Sequence, residues 1–108
     1  MLYELRIYHS MPGKLPALLS RFETATVALF EKHGFRQIGY WTTAIGESNA
    51  DLHYILAWES MDERDKKFLA FAKDPAWIAA RAKSEEGGPL ISSFSNSILS
   101  PTKFSALK

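Results

Sequence analysis

The chain has 108 residues, 46% of them hydrophobic and 13% aromatic, with a formal net charge of +1. That composition is ample for a packed core and excludes a disordered chain, while the interspersed charge signs give no electrostatic footprint for nucleic acid. The absence of cysteine excludes disulfides, thiolate catalysis, zinc ribbons and iron–sulfur clusters.

Residues 2–10 alternate as a strand. One set is Tyr3, Leu5, Ile7 and His9; the other is Leu2, Glu4, Arg6, Tyr8 and Ser10. Pro12-Gly13 ends the strand. Leu15, Leu18, Leu19, Phe22, Thr26, Leu29, Phe30 and His33 then recur at helical spacing as one apolar stripe. Pro16 falls in the first turn, where a missing N–H is tolerated, and Lys32-His33-Gly34 forms a C-terminal stop. Phe35–Ile45 and Leu52–Glu59 read as two strands of a hairpin with a loose loop at Gly46–Asp51. Ser60-Met61-Asp62-Glu63 is a capping box, and the helix it opens runs to about Lys73. Asp74-Pro75 starts another short helical piece, which Gly87-Gly88-Pro89 ends. Leu90–Ser100 is a final serine-rich strand, followed by a short tail from Pro101.

Strand, helix, strand, strand, helix, strand within one domain over residues 1–108 predicts an α+β, ferredoxin-like plait. Its four-stranded antiparallel sheet has helices on one face, with the first and third strands central. Helices pack closely over small and branched residues, so Ile55 and Ala57 are expected beneath them. Tyr54, Leu56 and Trp58 then join Glu4, Arg6 and Tyr8 on the open face. So aromatic a patch is unusual on a monomer, and the simplest cover is a second copy, giving a homodimer with stacked sheets. No signal-peptide pattern precedes the first strand, and no window approaches the roughly 20 apolar residues of a membrane span. A soluble, cytoplasmic protein is expected.

Glu4, Arg6, Tyr8, Trp41, Tyr54, Trp58 and Asn96 are the candidate lining of a cleft for a small organic molecule. Arg6 suits an anionic group and Glu4 a proton or an orienting bond; equally, the two suit an ion pair across a dimer seam. The rings read either as a ligand pocket or as interface core. His9, His33 and His53 show no metal-ligand spacing, so no metal, haem or other cofactor is expected. Serines 93, 95 and 97 lack the glycine-flanked elbow of a nucleophile. An enzyme version would be a cofactor-independent oxygenase or isomerase; a reading from another class is a non-catalytic adaptor module.

Tyr3-Glu4-Leu5-Arg6, Pro12-Gly13-Lys14, Glu31-Lys32-His33-Gly34-Phe35, Gly39-Tyr40-Trp41-Thr42, Asp74-Pro75-Ala76-Trp77 and Ile98-Leu99-Ser100-Pro101-Thr102-Lys103-Phe104-Ser105 resemble a NIPSNAP domain in order and spacing. The resemblance spans essentially the whole chain. It implies a dimeric α/β-barrel built of ferredoxin-like plaits, related to small cofactorless monooxygenase-like barrels, and it brings no established reaction. One departure is that members often carry histidine where this chain has Tyr54 and tryptophan where it has Leu56. A pocket chemistry resting on that histidine is therefore put in question.

Overall fold

The alternation of the first strand is realised over β1 (Leu2–Ser10), one of the two central strands of the sheet in a computed structural model describing residues 1–108. The other strands are β2 (Arg36–Thr42), β3 (Asp51–Trp58) and β4 (Ile91–Leu99), in the spatial order β2-β3-β1-β4 with every pairing antiparallel. This is the ferredoxin-like plait. Between β1 and β2 runs one helical rod: α1 (Leu15–Arg21), a π-helical segment (Phe22–Thr26) and α2 (Val27–Lys32). α3 (Met61–Lys73) and α4 (Pro75–Ser84) return the chain to β4. No helix is long and apolar enough to cross a membrane.

The helix caps act as expected, except that of the capping box only the Ser60 half forms, the Glu63 carboxylate lying 3.6 Å from Lys67 Nζ. The Glu63 amide donates to Ser60 Oγ at 3.1 Å, and the Ala76 amide to Asp74 Oδ1 at 2.9 Å, capping α3 and α4. Asp74 also accepts from Lys32 Nζ at 2.8 Å and pairs with His33 Nε2 at 2.7 Å, tying the end of the rod to the α3–α4 junction. Those hydrogen bonds, with that of Lys32 foremost, hold its carboxyl well below the ordinary aspartate range. The β2–β3 connection covers 43–50 and is longer than expected, because β2 stops at Thr42. Beyond it Thr43 Oγ1 turns to His53 Nε2 at 3.0 Å, and Ile45 is 99% exposed and packs on nothing.

The facing expected for β3 is reversed. Tyr54, Leu56 and Trp58 are fully buried under the helices, together with Glu4 and Arg6 of β1. The helices present large rings, and these fit against rings of the sheet. Phe22 and Phe30 lie 5.4 and 6.2 Å from Tyr54, and Phe35 and Phe68 lie 5.0 and 5.6 Å from Trp58. Small sheet residues beneath such helices would leave voids. The chain is a slab only 19 Å in its thinnest extent, the depth of one helical layer on one sheet. Its bare side carries Tyr3, Leu5, Ile7 and Ile55, with Trp41, Leu99 and the β4 serines Ser95 and Ser97 flanking them.

Gly34 ends the rod at φ 76°, and a Cβ there would meet Lys67 Nζ at 3.3 Å. Gly34→Ala is expected to lower stability by about 1–2 kcal/mol in urea unfolding, with an unchanged m-value.

Candidate functional site

Glu4 lies in the middle of β1, pointing into the helix–sheet interior with no exposed surface. Such a carboxylate needs donors for both oxygens, and it has five bonds. Oε1 accepts from Arg64 Nε at 2.8 Å and Trp58 Nε1 at 3.0 Å. Oε2 accepts from Arg6 Nη1 at 2.9 Å, Arg64 Nη2 at 3.0 Å and Asn96 Nδ2 at 3.0 Å. Burial pushes its pKa up. The donors, Arg64 first, outweigh burial and hold the carboxyl at about 2. The two contacts from Arg64 form a bidentate fork, the strongest geometry for a guanidinium on a carboxylate.

Arg6 passes this order outward. Its Nε donates to the Tyr54 hydroxyl at 2.9 Å and its Nη2 to the Tyr8 hydroxyl at 3.1 Å, while Phe68 and Phe94 rings lie 5.0 and 5.3 Å from its guanidinium. Tyr54 is fully buried, and the one acceptor in reach of its proton is Tyr8, at 2.9 Å. Burial raises the Tyr54 phenol well above its ordinary value, so that proton stays on. Tyr8 oxygen therefore accepts twice, from Arg6 and from Tyr54, and its own hydrogen is left to point elsewhere.

A cavity lies beside Tyr8. A space of about 660 Å³ opens between the rod, α3, α4 and β4, with Tyr8 on its wall. Its apolar walls include Phe22, Phe30, Phe71, Trp77 and Phe94, and its charged wall residues are Arg21, Arg81 and Glu85. The volume and the few polar groups on aromatic walls are those of a small-molecule site. The π turn shapes it. The Val27 amide reaches back five residues to the Phe22 carbonyl, which widens the rod where Phe22 and Thr26 meet the cavity. The Val27 carbonyl accepts from Gln37 Nε2 at 3.2 Å, so the distortion leaves that group paired.

Of the seven candidate residues, six share the helix face: Glu4, Arg6, Tyr8, Tyr54, Trp58 and Asn96. Tyr8 alone of these lines the cavity; the other five form the bonded frame behind it. Trp41 lies on the opposite face beside His53 and is 51% exposed. The expected pairing of Glu4 and Arg6 across a dimer seam is replaced by pairing within one chain, because α3 brings Arg64 over the sheet. Arg64 was legible in principle, since Arg64, Phe68 and Phe71 recur at helical spacing on the inward stripe. Arg21 was not, because a lone arginine beside an apolar stripe ordinarily extends to water. The three histidines stand apart: His9 on Asp51 at 2.8 Å, His33 on Asp74, His53 on Thr43.

The family model described as NIPSNAP matches residues 3–106. Among solved structures, a NIPSNAP family protein with unknown function from Agrobacterium tumefaciens is 30% identical, with a TM-score of 0.87 over 100% of this chain and 94% of that one. An uncharacterized NIPSNAP domain protein from Burkholderia xenovorans is 25% identical, with a TM-score of 0.83 over 97% and 98%. A putative antibiotic biosynthesis monooxygenase from Nitrosomonas europaea, at 9% identity and a TM-score of 0.62 over 94% and 98%, shares the fold alone. None of the curated proteins matches the chain significantly.

Glu4 has a lowered folded-state pKa, so its stabilisation is complete above the unfolded value of 4.5 and is lost as pH falls towards 2. The amount is about 3 kcal/mol. Glu4→Gln is expected to remove that part of the acid dependence in urea unfolding between pH 7 and pH 2. At neutral pH it costs about 3–5 kcal/mol, because Arg6 and Arg64 lose their counter-charge.

Proposed function

The chain belongs to the NIPSNAP family, and from that premise we propose that it is a homodimer that holds a small organic molecule in the cavity between the rod, α3, α4 and β4. The observation that carries this reading is the Tyr8 phenol, whose hydrogen the frame does not use, on the wall of a space in which aromatic rings make most of the apolar lining. A ligand gains contact with Phe22, Phe30, Phe71, Trp77 and Phe94 and one directed hydrogen bond from Tyr8. Glu4, Arg6, Tyr54, Trp58 and Asn96 act as the frame that holds Tyr8 in place. Binding then costs little reorganisation, since each frame residue already has its partners.

The homodimer rests on the bare side of the sheet. Leu5, Ile7 and Ile55, partly exposed, form its middle, with Tyr3, Trp41 and Leu99 around them, and no helix packs on this side. A second copy of the same flat apolar face is a self-complementary cover, which closes after two subunits. Trp41 belongs to this surface in the proposal, as an interface residue.

Two measurements test the reading. Sedimentation at micromolar concentration is expected to give twice the chain mass of 12.2 kDa, and Ile55→Glu to give the single-chain value; a wild-type particle of 12.2 kDa contradicts the dimer. Calorimetry with naphthylmethanol, an uncharged two-ring alcohol, is expected to show saturable binding, weakened a few-fold in Tyr8→Phe by loss of one hydrogen bond. The absence of saturable binding contradicts the cavity reading.

A further inference from the structure

Two arginines are buried in the interior of this chain, and they are treated very differently. Arg6, with a side chain 9% exposed, spends Nε, Nη1 and Nη2 on three acceptors. Arg21 is buried further, at 4%. Its Nε has no hydrogen-bond partner, and its one hydrogen bond is a long contact from Nη1 to Ser84 Oγ at 3.2 Å. The nearest carboxylate, that of Glu85, stands at 3.7 Å, beyond hydrogen-bonding distance. Burial accordingly pushes the Arg21 guanidinium below its ordinary value, although it remains charged at any physiological pH. A desolvated guanidinium with unused donors is costly, and a protein that satisfies Arg6 so fully has an evident means of avoiding it.

The placement of Arg21 supplies a reason. It is the last residue of α1, immediately before the π segment, and its guanidinium lies on the cavity wall 5.4 Å from the Trp77 ring. The charged residues around the cavity are Arg21, Arg81 and Glu85. Glu85 is shared, at 3.3 Å from Arg81 Nε and 3.7 Å from Arg21 Nη1. Two guanidiniums and one carboxylate leave one positive charge unmatched. Every other wall contribution comes from rings, aliphatic side chains or hydroxyls.

We propose that the occupant of this cavity is an aromatic monocarboxylate, with its carboxylate on the Nη donors of Arg21 that Ser84 leaves free and its rings among Phe22, Phe71, Trp77 and Phe94. The inference rests on the cavity reading above and adds the charge and chemical class of the ligand. The planar fork of a guanidinium matches a carboxylate edge, and a single negative charge balances the wall. A phosphate dianion would exceed that balance.

The test compares naphthoate with naphthylmethanol, which differ in charge and share their rings, by calorimetry on the full chain. Wild type is expected to bind naphthoate about tenfold to a hundredfold more tightly, the range of a charge-assisted hydrogen-bonded pair. Arg21→Met is expected to erase that preference by weakening naphthoate far more than naphthylmethanol, and to preserve or raise the melting temperature of the empty protein. Arg21→Gln, which can still bond Ser84, provides a second variant with the same expectation should the first not fold. Equal affinity of wild type for the two probes overturns the inference, and so does a preference that survives in either variant. In both cases saturable naphthylmethanol binding leaves the cavity reading standing. If neither probe binds wild type, the cavity reading and the inference fall together. A purely structural Arg21 would show itself differently: both variants would lose stability, and both probes would weaken equally.

Discussion

A carboxylate without access to water sits in the middle of the sheet, and the arrangement around it ties four elements together. Glu4 and Arg6 come from β1, Trp58 from β3, Asn96 from β4 and Arg64 from α3. A buried charge of this kind adds little net stability compared with a hydrophobic replacement of the whole cluster. Its effect is on specificity. A slip of α3 would strip the carboxylate of its Arg64 fork, and a slip of β4 would remove the Asn96 donor. The register of β1 against both neighbours is thereby fixed by chemistry as well as by shape.

The same frame reaches the cavity in two steps. Arg6, held by Glu4, orients both phenols, and the fully buried Tyr54 has a single acceptor for its proton. What reaches the cavity wall is one phenol whose oxygen already accepts two bonds from the frame. Around it are rings packed edge to face, with Phe22 5.9 Å from Tyr8 and Phe94 5.7 Å from it. The polar frame behind the cavity is thus fully bonded, while aromatic rings supply most of the apolar wall. Arg21 is the exception on its wall, a buried cation that the chain itself leaves incompletely paired.

Much of this was written in the sequence in local terms. The strand alternation of residues 2–10, the Ser60 and Asp74 caps and the Gly34 stop each have a short-range cause, and each is realised. The strand order followed from topology. The facing of the sheet did not, because it depends on whether the helices bring small or large side chains to it, and that is decided between distant segments. Phe22, Phe30 and Phe71 demand ring-bearing partners, so Tyr54 and Trp58 turn inward and Ile55 outward. The Glu4, Arg6 and Tyr8 alternation was legible as a polar stripe on a strand, while its partner Arg64 lies 60 residues away along the chain. The π turn and Arg21 lie beyond local reading, since neither breaks the helical spacing of the stripe on which the rod was recognised.

The ionisation of Glu4 itself is the most direct test of the central interaction. Carbon-13 NMR of the side-chain carboxyl, titrated in the folded protein, is expected to show no change as pH falls through 4.5 and a midpoint at about 2. A midpoint near 4.5 with the fold intact would mean that the five bonds do not hold the charged form, and the frame built on them would have no anchor.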